Sequence, residues 1–197
     1  EMYQFLAQNE GMAFVHGNDS LLMEQVEKHG VKKYYTYGRE KGFDCTGTPR
    51  ESRQGVVEFD VKGKNDEDIL MNTKLHGDYH FFNCLAAVCI GKYFEVPLDD
   101  IKKAIEGYVP ANNRSQILDT RKNWIILDAY NANPTSMASA LNHFLSLPKE
   151  PKAIILGDML ELGKYARAEH EKVLGTLSAN KVKAVYLVGT EFKKMEK

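Results

Sequence analysis

The sequence has no long hydrophobic run, little cysteine and almost no net charge, and each shortage removes a class of function. No apolar stretch approaches the roughly 20 residues needed to cross a bilayer, and no signal-peptide pattern opens the chain, so membrane insertion is not expected. Three cysteines, Cys45, Cys84 and Cys89, cannot make an even disulfide framework. Cys84 and Cys89 lie five apart in an apolar, helical stretch, which is poor metal or disulfide spacing. Buried, reduced thiols in a cytoplasmic protein are expected instead. With 26 Lys and Arg against 27 Asp and Glu, the net charge is −1, so there is no general attraction to nucleic acid or an anionic membrane. Two phosphate-binding signatures are also missing. The Gly-Lys pairs at 63, 91 and 163 are followed by Asn, Tyr and Tyr, so no G-x-x-x-x-G-K-[ST] occurs, and there is no G-x-G-x-x-G.

What remains is an ordinary globular composition. Its 197 residues, 43% of them hydrophobic, are enough for one large or two small domains with a real core. Both ends read as cut. The chain begins at Glu1 inside a helical pattern (Met2, Phe5, Leu6) and stops in Glu-Phe-Lys-Lys-Met-Glu-Lys as another helix begins. A fragment of a longer protein is expected.

The first 75 or so residues alternate short pieces. Met12 to Val15 and Lys33 to Tyr37 read as strands, with Leu21 to His29 a helix between them. Val56 to Lys62 turns Val57, Phe59 and Val61 to one side, as a half-exposed strand does. Asp68 to Leu75 is its hairpin partner across Gly-Lys-Asn-Asp. From Phe81 onward Leu85, Val88, Cys89 and Phe94 recur at helical spacing, Pro97 interrupts, and a second helix runs from Leu98 to near Gly107. Residues 108 to 114, with a Pro and two Asn, form the best linker candidate.

Beyond the linker the pattern changes. Ser115 to Asp119, Trp124 to Leu127, Ala153 to Leu156 and Ala184 to Val188 read as strands, and Pro134 to Leu147 and Ala168 to Leu177 as helices. Strands alternating with helices imply βαβ crossovers and a parallel sheet covered on both faces. Ligands of such sheets bind beyond the carboxyl ends of the strands, where Asp128, Gly157-Asp158 and Gly189 fall.

The residue chemistry at those ends has two readings. Asp128 is placed to reach ribose hydroxyls or a metal, or to cap local amides in a turn. Asn133-Pro134 reads as a helix N-cap followed by Pro at the first helical position, whereas Asn131 has no such local role. GDMLELG, Gly157 to Gly163, offers Asp158 and Glu161 between glycines that permit a tight turn and close backbone approach; a solvent-exposed turn explains it equally. His76 and His80 are four apart, but Gly77 and Asp78 put the helix start later, so the pair would not share a face and no metal site is expected. His170 in Ala-Glu-His-Glu reads as a structural or capping residue opening a helix.

Taken together and in order, GDYHFFNCLAAVCIG (77 to 91), Asn113-Arg114-Ser115, DAYNANPTSMASAL (128 to 141) and LGDMLELG followed by His170 resemble the Mur ligase family, over most of residues 76 to 190. The resemblance implies an α/β fold in two pieces. Residues 1–110 would be the C-terminal part of the family's central ATPase domain, and residues 111–197 its Rossmann-like C-terminal domain, incomplete, with a mainly parallel sheet. The family's N-terminal domain, phosphate loop, magnesium ligands and carbamoylated lysine would all lie upstream of Glu1, so no catalytic or metal-ligating residue is expected within these residues.

Family chemistry is ATP- and Mg2+-dependent amide formation: a carboxylate is phosphorylated and an amine attacks the acyl phosphate. DAYNANPTSM and LGDMLELG favour the member that joins D-alanyl-D-alanine to UDP-N-acetylmuramoyl-tripeptide in peptidoglycan synthesis. By position, Asn83 matches the asparagine that contacts adenine, Arg114 the arginine near the nucleotide, and Asp128 the acid that holds the ribose. Asn131, Asn133 and Asp158 would face the cleft where the dipeptide enters. The family's Gly-x-His-Asn-x-x-Asn departs here to Gly77-Asp78-Tyr79-His80-Phe81-Phe82-Asn83, which leaves the replaced positions Tyr79 and His80 without an implied role. Two alternatives stand beside this reading: another amide ligase of the superfamily, such as folylpolyglutamate synthase, or a non-catalytic nucleotide- or peptide-binding module.

Overall fold

The computed structural model describes residues 1–51, 55–63, 66–111 and 113–195. The chain forms two compact units, Glu1–Val109 and Pro110–Lys197.

In the first unit the order is α1 (Met2–Gln8), β1 (Met12–His16), α2 (Ser20–Lys28), β2 (Lys33–Gly38), β3 (Cys45–Pro49), β4 (Val56–Lys62), β5 (Asp68–His76), α3 (His80–Tyr93) and α4 (Leu98–Gly107). The strands make one sheet in sequence order. β1, β2 and β3 run parallel, and β3, β4 and β5 antiparallel. Strand β3 is not legible in Cys-Thr-Gly-Thr-Pro, which lacks the alternation of its neighbours; it exists through pairing with β2 and β4. Helix α2 starts where Asp19 accepts the N–H groups of Leu21 and Leu22, an N-cap that satisfies donors the helix cannot.

Alternation along the strands decides what each face buries. β1 sends Ala13 and Val15 toward Val26 and Val31, with Leu6 and Leu22 of α1 and α2 beside them, while Phe14 packs on the opposite side. Val57, Phe59 and Val61 of β4 face inward together, as their spacing predicts. They meet Phe81, Cys84, Leu85 and Val88 of α3, one helical stripe at i, i+3, i+4 and i+7. All three cysteines are buried free thiols.

β5 is an edge strand, and its outward backbone groups would template pairing with another chain. Helix α4 occupies them instead. The Lys102 ammonium donates to the Leu70 carbonyl, and the Asn72 N–H donates to Glu106 Oε1 at 3.0 Å. The two side chains pair with each other at 3.0 Å, one turn apart.

The second unit contains β6 (Gln116–Asp119), β7 (Trp124–Leu127), α5 (Pro134–Ser146), β8 (Ala153–Gly157), a 3-10 turn at Gly163–Tyr165, α6 (Ala166–Ser178), β9 (Ala184–Val188) and α7 (Thr190–Lys193). The expected crossover is present at β8–α6–β9, where Ala153 pairs in parallel with Ala184 and Gly157 with Val188. β6 and β7 differ from that expectation. They form an antiparallel hairpin, because the four residues between them are too few for a parallel crossover. Cover on both faces is not found among the described residues either. Along β8 only alternate residues are buried, with Ile154 and Leu156 under Leu141, Val173 and Leu177, while Ile155 is exposed.

Removing both α4 side chains tests the protected edge. Lys102→Ala with Glu106→Ala is expected to cost about 1–2 kcal/mol, reduced from the buried charged-bond value by partial exposure. Denaturant midpoint and light scattering read the loss and the freed edge; an unchanged midpoint with no added scattering contradicts it.

Candidate functional site

The segment after β7 holds most of the candidate residues. Asp128 is the first residue past the strand, and its neighbour ties it to the start of β6: the Ala129 N–H donates to the Asn113 carbonyl at 2.8 Å. Around this tie two side-chain pairs cross. Ser115, itself buried, donates its hydroxyl to Asp128 Oδ2 at 3.3 Å. The Arg114 guanidinium lies over the Tyr130 ring, 3.7 Å from its centroid. Asn113 and Ser115, on either side of Arg114, have φ of 53° and 49°, left-handed values that cost a non-glycine residue energy and recur at ligand sites. Asp128 and Arg114 are exposed residues, and no described residue hydrogen-bonds to Asp128 Oδ1 or to the Arg114 guanidinium.

The next residues divide as their chemistry predicts. Asn133 caps α5, its Oδ1 accepting the Ser136 N–H at 2.9 Å while Ser136 Oγ accepts the Asn133 N–H at 3.2 Å, with Pro134 at the first helical position. Asn131 is exposed, and no described residue engages its amide by a hydrogen bond. Asp128, Arg114 and Asn131 therefore present unspent polar atoms, whereas the oxygen of Asn133 is committed.

Asp158 lies just past β8, and the structure gives it a local task. Its two oxygens accept the N–H groups of Glu191 and Phe192, at 2.9 and 3.0 Å, closing the start of α7. Gly189 at φ 129° admits this approach, since a Cβ there would stand 2.2 Å from the carboxyl. Burial pushes the Asp158 carboxyl upward, but the backbone amides of Glu191 and Phe192 outweigh it, and the net direction is down. His170 is fully buried in α6 rather than at its start. Its Nδ1 donates to the Ala166 carbonyl at 2.7 Å and its Nε2 accepts the Met159 N–H at 3.0 Å. Because Nε2 is accepting, its 3.7 Å approach to Asp158 is a packing contact, with no proton between the two.

In the first unit, Asn83 is the fourth residue of α3 and is exposed. Gly77, at φ 100°, makes the turn into α3, where a Cβ would stand 2.4 Å from the Tyr79 ring. The replaced positions Tyr79 and His80 lie ring against ring, 4.4 Å apart. A cleft of about 510 Å3 is lined by Arg39, Arg50, Val57, Glu58, Asp78 and Phe81. Arg50 is held there by both Asp60 oxygens, and the Arg39 guanidinium stands 5.1 Å from the Phe81 and Phe82 ring centres. The sequence gives no sign of this cleft, since its residues come from four separate stretches of the chain. Nor does it single out Ser115 and Tyr130, which acquire significance only by facing Asp128 and Arg114.

No group of three or more His, Cys, Asp or Glu that could hold a metal occurs among the described residues. The Mg2+ implied by the resemblance has no such group of donors among these described residues.

The Asp158 cap carries a prediction. Asp158→Ala is expected to cost about 1 kcal/mol, as loss of a helix cap does. A lowered carboxyl stabilises the fold fully above its unfolded value, near pH 4, and loses that contribution as pH falls through its folded value. The variant should therefore lose less stability than the parent from roughly pH 5 to 3 in acid unfolding monitored by circular dichroism. Parallel curves for the two proteins contradict the assignment.

The chain is similar to several known proteins. The family described as "Mur ligase, glutamate ligase domain" matches residues 113–197. The UDP-N-acetylmuramoyl-tripeptide–D-alanyl-D-alanine ligase of Treponema pallidum (strain Nichols) is 35% identical over 158 residues, covering 79% of this chain and 34% of that protein. A crystal structure of MurF from Acinetobacter baumannii superposes with a TM-score of 0.80 at 25% identity, over 95% of this chain and 41% of that one. The fold is shared also with MurF from Thermotoga maritima, solved in complex with ADP, at a TM-score of 0.76 and 18% identity, over 95% of this chain and 42% of that one. The chain thus spans about a third to two fifths of the length of these relatives. It belongs to the Mur ligase family.

Proposed function

We propose that this chain is part of an ATP-dependent amide ligase, acting in the cytoplasm, that adds D-alanyl-D-alanine to UDP-N-acetylmuramoyl-tripeptide in peptidoglycan synthesis. Residues 1–110 are read as the later part of its central domain and residues 111–197 as its C-terminal domain. The observation that carries the reading is the anchoring of Asp128. One carboxylate oxygen is fixed by the buried Ser115 hydroxyl at 3.3 Å, and the other remains open beyond the end of β7. An oriented acceptor of that kind suits the hydroxyls of a ribose. Arg114 beside it offers planar N–H donors to an anionic oxygen of the nucleotide.

Asn83 is assigned to adenine. Asn131, with an unengaged amide, and the NH2 of Asn133 are assigned to the side where the dipeptide enters. Asp158, whose oxygens each hold a backbone N–H, serves that side by fixing the turn after β8. What these residues contribute is binding and orientation of the nucleoside end and of the second substrate. Positioning of this kind supplies much of the catalysis in phosphoryl transfer, because little covalent work falls to the protein. Mg2+, by family resemblance, neutralises phosphoryl charge in these ligases; its ligands are assigned outside this chain.

Kinetics of the full-length ligase test the reading. Asp128→Ala is expected to raise KM for ATP by roughly tenfold or more, the scale of a lost charged hydrogen bond, with KM for D-alanyl-D-alanine little changed. An unchanged KM for ATP would remove Asp128 from the nucleotide site. Acceptor choice separates the folylpolyglutamate synthase alternative: the reading requires turnover with D-alanyl-D-alanine and none with glutamate, and the reverse preference refutes it. Absence of any ATP-dependent turnover would favour a binding module.

A further inference from the structure

We infer that Tyr130 is a positioning residue, whose ring presets the Arg114 guanidinium for an anionic oxygen of the nucleotide; this rests on the assignment of Arg114 above. At 3.7 Å from the ring centroid, the guanidinium is stacked on the aromatic face. Its five N–H donors all lie in its own plane and point outward from its edges. Stacking therefore occupies a π face and leaves every donor available, while it removes much of the rotational freedom of a long side chain. A carboxylate partner would do the opposite, consuming the donors that an anionic ligand needs. Among the described residues Arg114 has no such partner.

The environment of the ring favours this role over a packing one. Tyr130 is 64% exposed, so burial of apolar area does not account for an aromatic residue at this position. Among the described residues, Arg114 is the group stacked on it. The backbone on both sides of Arg114 is held in left-handed conformation, and the Ala129–Asn113 hydrogen bond fixes the distance between the two segments. Arg114 and Tyr130 thus ride on opposite sides of one short tie. Ser115 does for Asp128, by a hydrogen bond, what Tyr130 does for Arg114 by stacking. Each of the two proposed ligand contacts has its own neighbour to hold it, and each neighbour comes from the other segment.

A positioning role predicts a particular pattern of kinetics in the full-length ligase. Tyr130→Leu should raise KM for ATP roughly two- to fivefold, the size of an exposed cation–π contact, with kcat, KM for D-alanyl-D-alanine and the melting temperature essentially unchanged. Tyr130→Phe, which keeps the ring face, should restore the parental value. In an Arg114→Ala background, Tyr130→Leu should add nothing, because the two residues act as one unit. A raised KM for ATP in Arg114→Ala with a parental value in Tyr130→Leu overturns the positioning role and leaves the nucleotide assignment standing. A parental value in Arg114→Ala overturns both. A further rise in the double variant, or a lowered melting temperature accompanied by loss of kcat in Tyr130→Leu, shows that Tyr130 acts independently of Arg114 and also overturns the inference.

Discussion

The hydrogen bond from the Ala129 N–H to the Asn113 carbonyl holds two short segments side by side, and the whole arrangement of unspent polar groups in the second unit depends on it. One segment opens β6 and the other leaves β7, so the hairpin register that pairs Gln116 with Leu127 sets which residues meet. One step beyond that pair Ser115 reaches Asp128, and beyond it Arg114 reaches Tyr130, two residues past Asp128. A slip of one residue would turn these side chains to the opposite face. The left-handed backbone at Asn113 and Ser115 is tolerated because pairing on one side and the tie on the other leave the chain little alternative.

Several acidic side chains in this protein sit in turns or on helix faces and look equivalent by residue type; their partners distinguish them. Asp19 spends its carboxylate on the first turn of α2, and Asp158 on the start of α7. Glu106 spends its own on an edge N–H and a lysine; burial opposes ionisation there, but those partners prevail and hold its carboxyl below the ordinary range. Asp128 differs in its anchor: Oδ2 accepts the Ser115 hydroxyl, and no described backbone N–H or ammonium engages the carboxylate. An acceptor held by a hydroxyl alone keeps most of its hydrogen-bonding capacity for something from outside the fold, and that contrast supports Asp128 as the ligand contact.

Much of the architecture was legible from pattern. The alternation of Val57, Phe59 and Val61, the helical stripe through Leu85 and Val88, and the Asn133-Pro134 helix start all follow from local physics and are found as expected. Three features were not. β3 has no hydrophobic period, and its existence depends on neighbours on both sides. The antiparallel pairing of β6 with β7 was hidden by reading the strands as one alternating series, although the short loop between them carries the information. The jobs of Asp158 and His170 depend on contacts across 33 and 11 residues respectively, which no local rule reaches. Within the candidate site, Asp128 could be singled out from the sequence because it directly follows a strand, and Asn131 because it has no local role. Ser115 and Tyr130 could not, because their significance lies in what they face.

The most direct measurement is a crystal structure of the full-length ligase with ADP bound. The predicted result places the ribose hydroxyls within hydrogen-bond distance of Asp128 Oδ1, with Ser115 still bonded to Oδ2 and Arg114 still stacked on Tyr130. A ribose held elsewhere, with Asp128 facing solvent or turned to a backbone amide, would contradict the assignment of this turn as the nucleoside end of the site.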